Sequence, residues 1–205
     1  MEVKIAIGKR TKDLRIKHFK VIQEPSFSEE PTLAEMVQVI HLYSGVKPSL
    51  IRQYTMKEIT QMYIAISKQF AGISVNSTPP KELTFDGVTY CLVNPEKIGV
   101  GWHQDFSTCT IDEPTRLAAM FYLPKGVVYG DEDEYGNLVS SIRDRSPIFA
   151  EHMELQTFID CCAFFLRKYE KSMRESTVKK SAEILTAKIL KAMRLNKKES
   201  SIGKR

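Results

Sequence analysis

The chain has 205 residues, 42% of them hydrophobic and 27% charged, which excludes a disordered or fibrous polymer and allows a sizeable buried core without disulfide or metal staples. The net charge of +5 is unevenly distributed. Residues 166–205 hold 13 Lys and Arg against 4 Glu, whereas residues 105–160 hold 11 Asp and Glu against 4 Lys and Arg. The chain is expected to be soluble, because residues 1–10 carry no signal-peptide core and no apolar run approaches the length of a membrane span. The four cysteines, Cys91, Cys109, Cys161 and Cys162, fit neither a disulfide framework nor a metal-ligand spacing and are read as reduced thiols.

In chain order, apolar residues alternate with lysines in Val3, Ile5 and Ile7 and again from Leu14 to Ile22, which predicts two short strands joined by a polar turn at residues 9–13. After the connector at Pro25–Pro31, Leu33, Val37, Ile40 and Leu42 predict a helix over 32–44, stopped by Gly45. Thr55 with Glu58 three residues on has the form of a capping box, and Ile59, Met62, Tyr63, Ile66 and Phe70 continue at helical spacing to Gly72. Residues 73–82, with Pro79-Pro80, read as a linker.

Asp86-Gly87 between two β-prone runs predicts a hairpin over 83–93, since a two-residue turn of this composition matches the twist of antiparallel strands. Thr110 to Leu123 reads as a helix with Pro114 in its first turn, and residues 125–146 read as an exposed loop around the acidic run 131–134. From Pro147 to Tyr169 a broad apolar face predicts one helix buried on most sides, over 148–170. A last helix over about 177–195 sets Val178, Ile184, Leu185, Ile189, Leu190 and Met193 beneath a lysine-rich face. The fold class is therefore α+β, mostly helical with a central β-hairpin or small antiparallel sheet and a long C-terminal helical region. Three parts are expected: 1–80, 81–170 and a basic helix and tail over 171–205.

Candidate chemistry is sparse. His18, His41, His103 and His152 fall in four separate elements without a metal-binding pair. His103, near Asp105 and beside Trp102, is the one imidazole with a carboxylate close in sequence, but no nucleophile elbow accompanies it. Gly99-Val100-Gly101 lacks the third glycine of a dinucleotide fingerprint, and residues 7–11 lack the upstream glycine of a phosphate loop. The acids 131–134 lack the ligand spacing of a calcium loop. No catalytic residue, cofactor or metal is assigned on this basis, and the chain reads as a non-enzyme. The basic side chains Lys179, Lys180, Lys188, Lys191, Arg194, Lys197 and Lys198 form the alternative site, a sequence-independent grip on nucleic-acid phosphates, although no aromatic residues alternate with them.

From Leu83 to Tyr169 the order of features resembles the tail assembly chaperones and minor virion assembly proteins of tailed bacteriophages. The likeness is carried by Phe85-Asp86-Gly87-Val88-Thr89-Tyr90, Asp105, the run 117–124, Tyr129 and Tyr135 around the acids, Arg143 or Arg145, Pro147 and Phe164-Phe165-Leu166. It implies a non-enzymatic assembly factor or minor structural protein in the host cytoplasm or the virion. Its partners would be other virion or assembly proteins, in a homo- or hetero-oligomer, with no membrane. Phe158, Phe165 and Tyr169 are then the expected partner-binding face.

Overall fold

A computed structural model describes residues 5–23, 30–76 and 78–172, and the chain within these bounds is a mostly helical α+β protein. It divides into two compact units. Unit 1 contains residues 5–14 and the described part of 18–74; unit 2 contains 15–17 and 75–172, again as far as described. The predicted C-terminal helix over 177–195 and its basic side chains lie outside the described residues.

Unit 1 holds α1 (Phe19–Gln23), α2 (Leu33–Ser44), α3 (Pro48–Ile51) and α4 (Met56–Ala71). Both long helices begin with a complete capping box. Thr32 and Thr55 accept from the N–H groups of Glu35 and Glu58, and each glutamate reaches back to the threonine N–H at 2.6 and 2.7 Å. Val37, Val39, Ile40 and Tyr43 of α2 are buried with Ile59, Tyr63, Ile66 and Phe70 of α4. Among its described residues, the opening segment does not form the predicted strands. It makes 3-10 turns at Thr11–Asp13 and Ile16–His18, and Leu14 and Ile16 are buried there, so their alternation marks two core residues rather than a sheet face. Buried Gln69 ties this segment down: it accepts from the Tyr43 hydroxyl at 3.1 Å, donates to the Gly8 carbonyl, and its own carbonyl accepts from Thr11 Oγ1 at 2.9 Å. A Cβ on Gly72 would collide with Thr11 Oγ1, so any larger residue there forces the threonine to move.

Unit 2 is built on a three-stranded antiparallel sheet of order β1-β2-β3, from β1 (Glu82–Phe85), β2 (Val88–Leu92) and β3 (Tyr122–Pro124). The hairpin forms as the sequence predicts, with Phe85 opposite Val88. Asp86 (φ 50°) and Gly87 (φ 80°) occupy the left-handed region that a two-residue turn requires. Its helices are α5 (Val100–Thr108), α6 (Pro114–Phe121), α7 (Ile142–His152) and α8 (Leu155–Ser172). The predicted helix over 110–123 is shorter than expected, because Tyr122 leaves helical geometry and pairs as a strand with Leu92. The single helix expected over 148–170 is two. The chain breaks at Met153 and Glu154, where Met153 accepts a backbone hydrogen bond from Ile16 (3.2 Å) and Glu154 bridges Arg15, so a distant segment takes up the freed polar groups. Pro147 lies inside α7 rather than at its start.

The C-terminal turn of α6 organises the unit. A helix leaves its last carbonyls without intrahelical partners, and here no glycine cap follows. Three other elements supply donors instead. Arg145 of α7 donates to the Ala119 carbonyl through Nε (3.2 Å) and Nη2 (3.0 Å), the Trp102 indole of α5 donates to Met120 (2.9 Å), and the Val93 N–H after β2 donates to Phe121 (2.8 Å). Arg145 is buried, and the negative end of the α6 dipole faces its charge. Around this turn lies the aromatic core, in which Phe121 stacks on Phe165 with centroids 4.5 Å apart and Trp102 stacks on Phe106 at 4.9 Å.

Candidate interaction surface

Two of the three residues predicted to meet a partner, Phe158 and Phe165, lie in the core. Phe158 and Phe165 are 0 and 1% exposed, turned inward by the same spacing that made them look like a docking face. Periodicity reports an apolar helix face but not what covers it, and here the face is covered by α5 and α6 of its own unit. Tyr169 is on α8, and its side chain lies outside the described residues, as do Lys179, Lys180, Lys188, Lys191, Arg194, Lys197 and Lys198.

His103 and Asp105 lie two positions apart on α5, a spacing at which helical side chains do not face each other. The Asp105 carboxylate instead accepts from the Tyr129 hydroxyl. Burial, reinforced by this bond to a carboxylate, pushes the Tyr129 phenol above its ordinary value. His152 meets Asp86 at the hairpin turn, with Nε2 3.2 Å from the carboxylate, and stacks on Phe85. Among the described residues no three His, Cys, Asp or Glu gather where they could hold a metal ion. Burial raises the Cys109 thiol to about 11 and the Cys161 thiol to about 12, and Cys162 also lies well above its ordinary value, which leaves these three sulfurs protonated and weakly nucleophilic at neutral pH.

The surface feature that stands apart is the segment between β3 and α7. Its two ends are anchored. At the first, Tyr129 is held on Asp105; at the second, Arg145 Nη1 donates to the Ser140 carbonyl and hydroxyl (2.8 Å to Oγ), and Ser141 caps α7 by accepting from the Asp144 N–H at 3.1 Å. Between these anchors, residues 130–139 are all exposed.

This exposed stretch is nonetheless ordered by its own backbone. Asp133 N–H donates to Asn137 O (2.7 Å), Val139 N–H donates to Asp131 O (2.8 Å), and Glu132 bridges Leu138 in antiparallel fashion, which makes a miniature hairpin. One carboxylate oxygen of Asp133 accepts the N–H groups of Tyr135 and Asn137, each at 2.9 Å, while Gly136 (φ 78°) turns the tip. The Asn137 N–H, followed by that of Tyr135, holds the Asp133 carboxyl below the usual carboxylate range. Asp131 likewise accepts from the Val128 N–H at 2.8 Å. Two of the four acids are thus engaged in shaping the loop, and Glu132 and Glu134 extend from exposed backbone.

Four of the nine exposed large hydrophobic residues among those described fall in this segment: Tyr135 at 80%, Val128 at 65%, and Leu138 and Val139 at 52% each. Apolar side chains scattered singly over a surface are ordinary, whereas four exposed ones within twelve residues of one ordered protrusion are a concentration the rest of the described surface does not show. No Lys or Arg occurs from Gly126 to Val139, so the exposed apolar residues share their segment with four acids and no cation. The acids and glycines of this segment predict a solvated loop. The missed signal was the apolar pairs interleaved with them, Val127-Val128 and Leu138-Val139, and Tyr135 at the tip.

No helix among the described residues is long and apolar enough to cross a membrane. Comparison of the chain with protein-family models, with curated proteins and with solved structures returns no match.

Proposed function

We propose that this chain is a non-enzymatic protein that works through protein–protein contacts, as an assembly factor or minor structural component of a tailed bacteriophage particle, with the hairpin at 130–139 as its docking surface. The observation that carries the reading is that hairpin: a protrusion anchored at both ends, ordered by its own hydrogen bonds, which places Tyr135, Leu138 and Val139 in solvent. Its ordered tip lowers the conformational cost of binding, and a large aromatic at the tip is the side chain that most often anchors an interface. The phage setting is supported by the ordered resemblance across residues 83–169, which includes Tyr129 and Tyr135 around the acids.

The test is co-purification of the chain with the virion proteins encoded beside it, followed by light scattering on a sizing column in moderate salt. The wild type is expected to form a complex of defined mass, and Tyr135→Ala with Leu138→Ala to abolish it while leaving the thermal unfolding of the chain unchanged. A complex indifferent to those substitutions would remove the hairpin from the reading. A mass shift that needs DNA and vanishes as salt rises would favour instead the phosphate grip of the C-terminal lysines.

A further inference from the structure

Resting on that reading, we infer that the hairpin at 130–139 takes the basic segment 177–195 from a second copy of this chain. The hairpin defines what its occupant needs: apolar side chains to cover Val128, Tyr135, Leu138 and Val139, and cations to meet a net charge of −4 that no lysine or arginine between Gly126 and Val139 offsets. The segment offers both. Val178, Ile184, Leu185, Ile189, Leu190 and Met193 recur at helical spacing, and Lys179, Lys180, Lys188, Lys191 and Arg194 lie among them.

The distribution of charge along the chain favours this occupant. Residues after Ser172 hold ten Lys and Arg against three Glu, and the strongest run of opposite sign among the described residues is the run 131–134. One copy therefore carries both halves of a complementary pair. Because the two halves are different surfaces, the contact is head-to-tail and leaves a free hairpin at one end and a free segment at the other, the arrangement that lets a chain of copies grow. Electrostatic attraction sets the rate and selectivity of the encounter, and apolar burial retains part of the contact when salt screens the charges.

The experiment is light scattering on a sizing column with the full chain at several concentrations and two ionic strengths, using wild type, Glu132→Lys with Glu134→Lys, and a chain ending at residue 176. The wild type is expected to associate in a concentration-dependent way, weakened but not abolished by salt. Both variants are expected to lose about tenfold or more in association constant. Fluorescence of Trp102, the one tryptophan, reports that the fold is kept, since residues 132 and 134 are exposed and the truncation lies beyond α8. Mixing the two variants leaves one intact hairpin and one intact segment, so a one-to-one pair is expected to return. A monomer at every concentration, an association that survives either change, or a mixture that fails to pair would each overturn the inference. A monomeric chain whose capture of virion proteins still depends on Tyr135 would overturn it and leave the proposed function standing.

Discussion

Replacing Arg145 tests whether the α6 terminus is held by hydrogen-bond geometry or by charge. The guanidinium is 2% exposed and gives two bonds to the Ala119 carbonyl, at 3.0 and 3.2 Å, and one of 2.8 Å to the Ser140 hydroxyl, besides that to the Ser140 carbonyl. Burial pushes its pKa below the ordinary arginine value, so the cation is held at a desolvation cost that its bonds must outweigh. In Arg145→Met that cost disappears along with the bonds, and a buried carbonyl is left without a donor; the net loss works out at about 2–3 kcal/mol. Arg145→Lys keeps the desolvated charge but replaces the planar fork with a point donor that cannot grip Ala119 twice, so it is expected to be at least as destabilising as methionine. At roughly 2–4 °C per kcal/mol for a chain of this size, each melting midpoint falls by roughly 4–12 °C. Trp102 fluorescence during urea or thermal unfolding is the natural assay, because its indole is bonded to the neighbouring carbonyl of the same turn. A lysine variant clearly more stable than the methionine variant would refute the reasoning and leave the helix dipole as the dominant partner.

Three further outcomes are expected. Gly72→Ala drives a methyl into Thr11 Oγ1 and destabilises by about 1–3 kcal/mol, and Thr11→Ala in the same chain recovers part of the loss; a purely additive double-mutant cycle would deny the contact. The Asp13, Glu35, Glu58 and Asp133 carboxyls all lie below their ordinary values of 3.8 or 4.5, chiefly through bonds from the Arg10, Thr32 and Asn137 N–H groups and the Thr55 hydroxyl. Their folded pKa values are depressed, so the stability they contribute is complete above those ordinary values and is lost as pH falls through the folded ones. Acid unfolding followed by circular dichroism is therefore expected to steepen below about pH 4.5, and less so in Glu58→Gln. Iodoacetamide at pH 7.5 is expected to leave Cys161 and Cys162 unmodified in the folded chain, by mass spectrometry, and to label them in denaturant, because both are buried and protonated.

What could be read from the sequence was local chemistry. Asp86-Gly87 and the Thr55 to Glu58 box carry their geometry in a few adjacent residues, and both features form where they were expected. Helix α5 was missed because glycines flank Val100 and no side chain caps its start; what holds it is tertiary, the burial of Trp102 against Phe106 and Phe165. Tyr122 was read as the end of a helix because only its pairing with Leu92, thirty residues earlier, makes it a strand. The burial of Phe158 and Phe165 was misread for a related reason. Apolar spacing identifies Phe158 and Phe165 as belonging to a face, but only the positions of α5 and α6 decide that the face is interior, and only the anchored ends of 130–139 decide that Tyr135 is not.

The threading of residues 15–17 into unit 2 sets an order of events during synthesis. Lys17 pairs with Glu151 at 2.7 Å although 134 residues separate them along the chain, and Ile16 bonds to Met153 beside them. A ribosome delivers the early partners long before the late ones, so Ile16 and Lys17 are made well before Met153 and Glu151 exist to receive them. Closing so long a loop is slow compared with forming helices from adjacent residues. The junction of α7 and α8 therefore cannot close on residues 15–17 until residue 154 has been made, and a nascent chain halted before residue 151 would hold Ile16 and Lys17 without the partners they have in the folded unit.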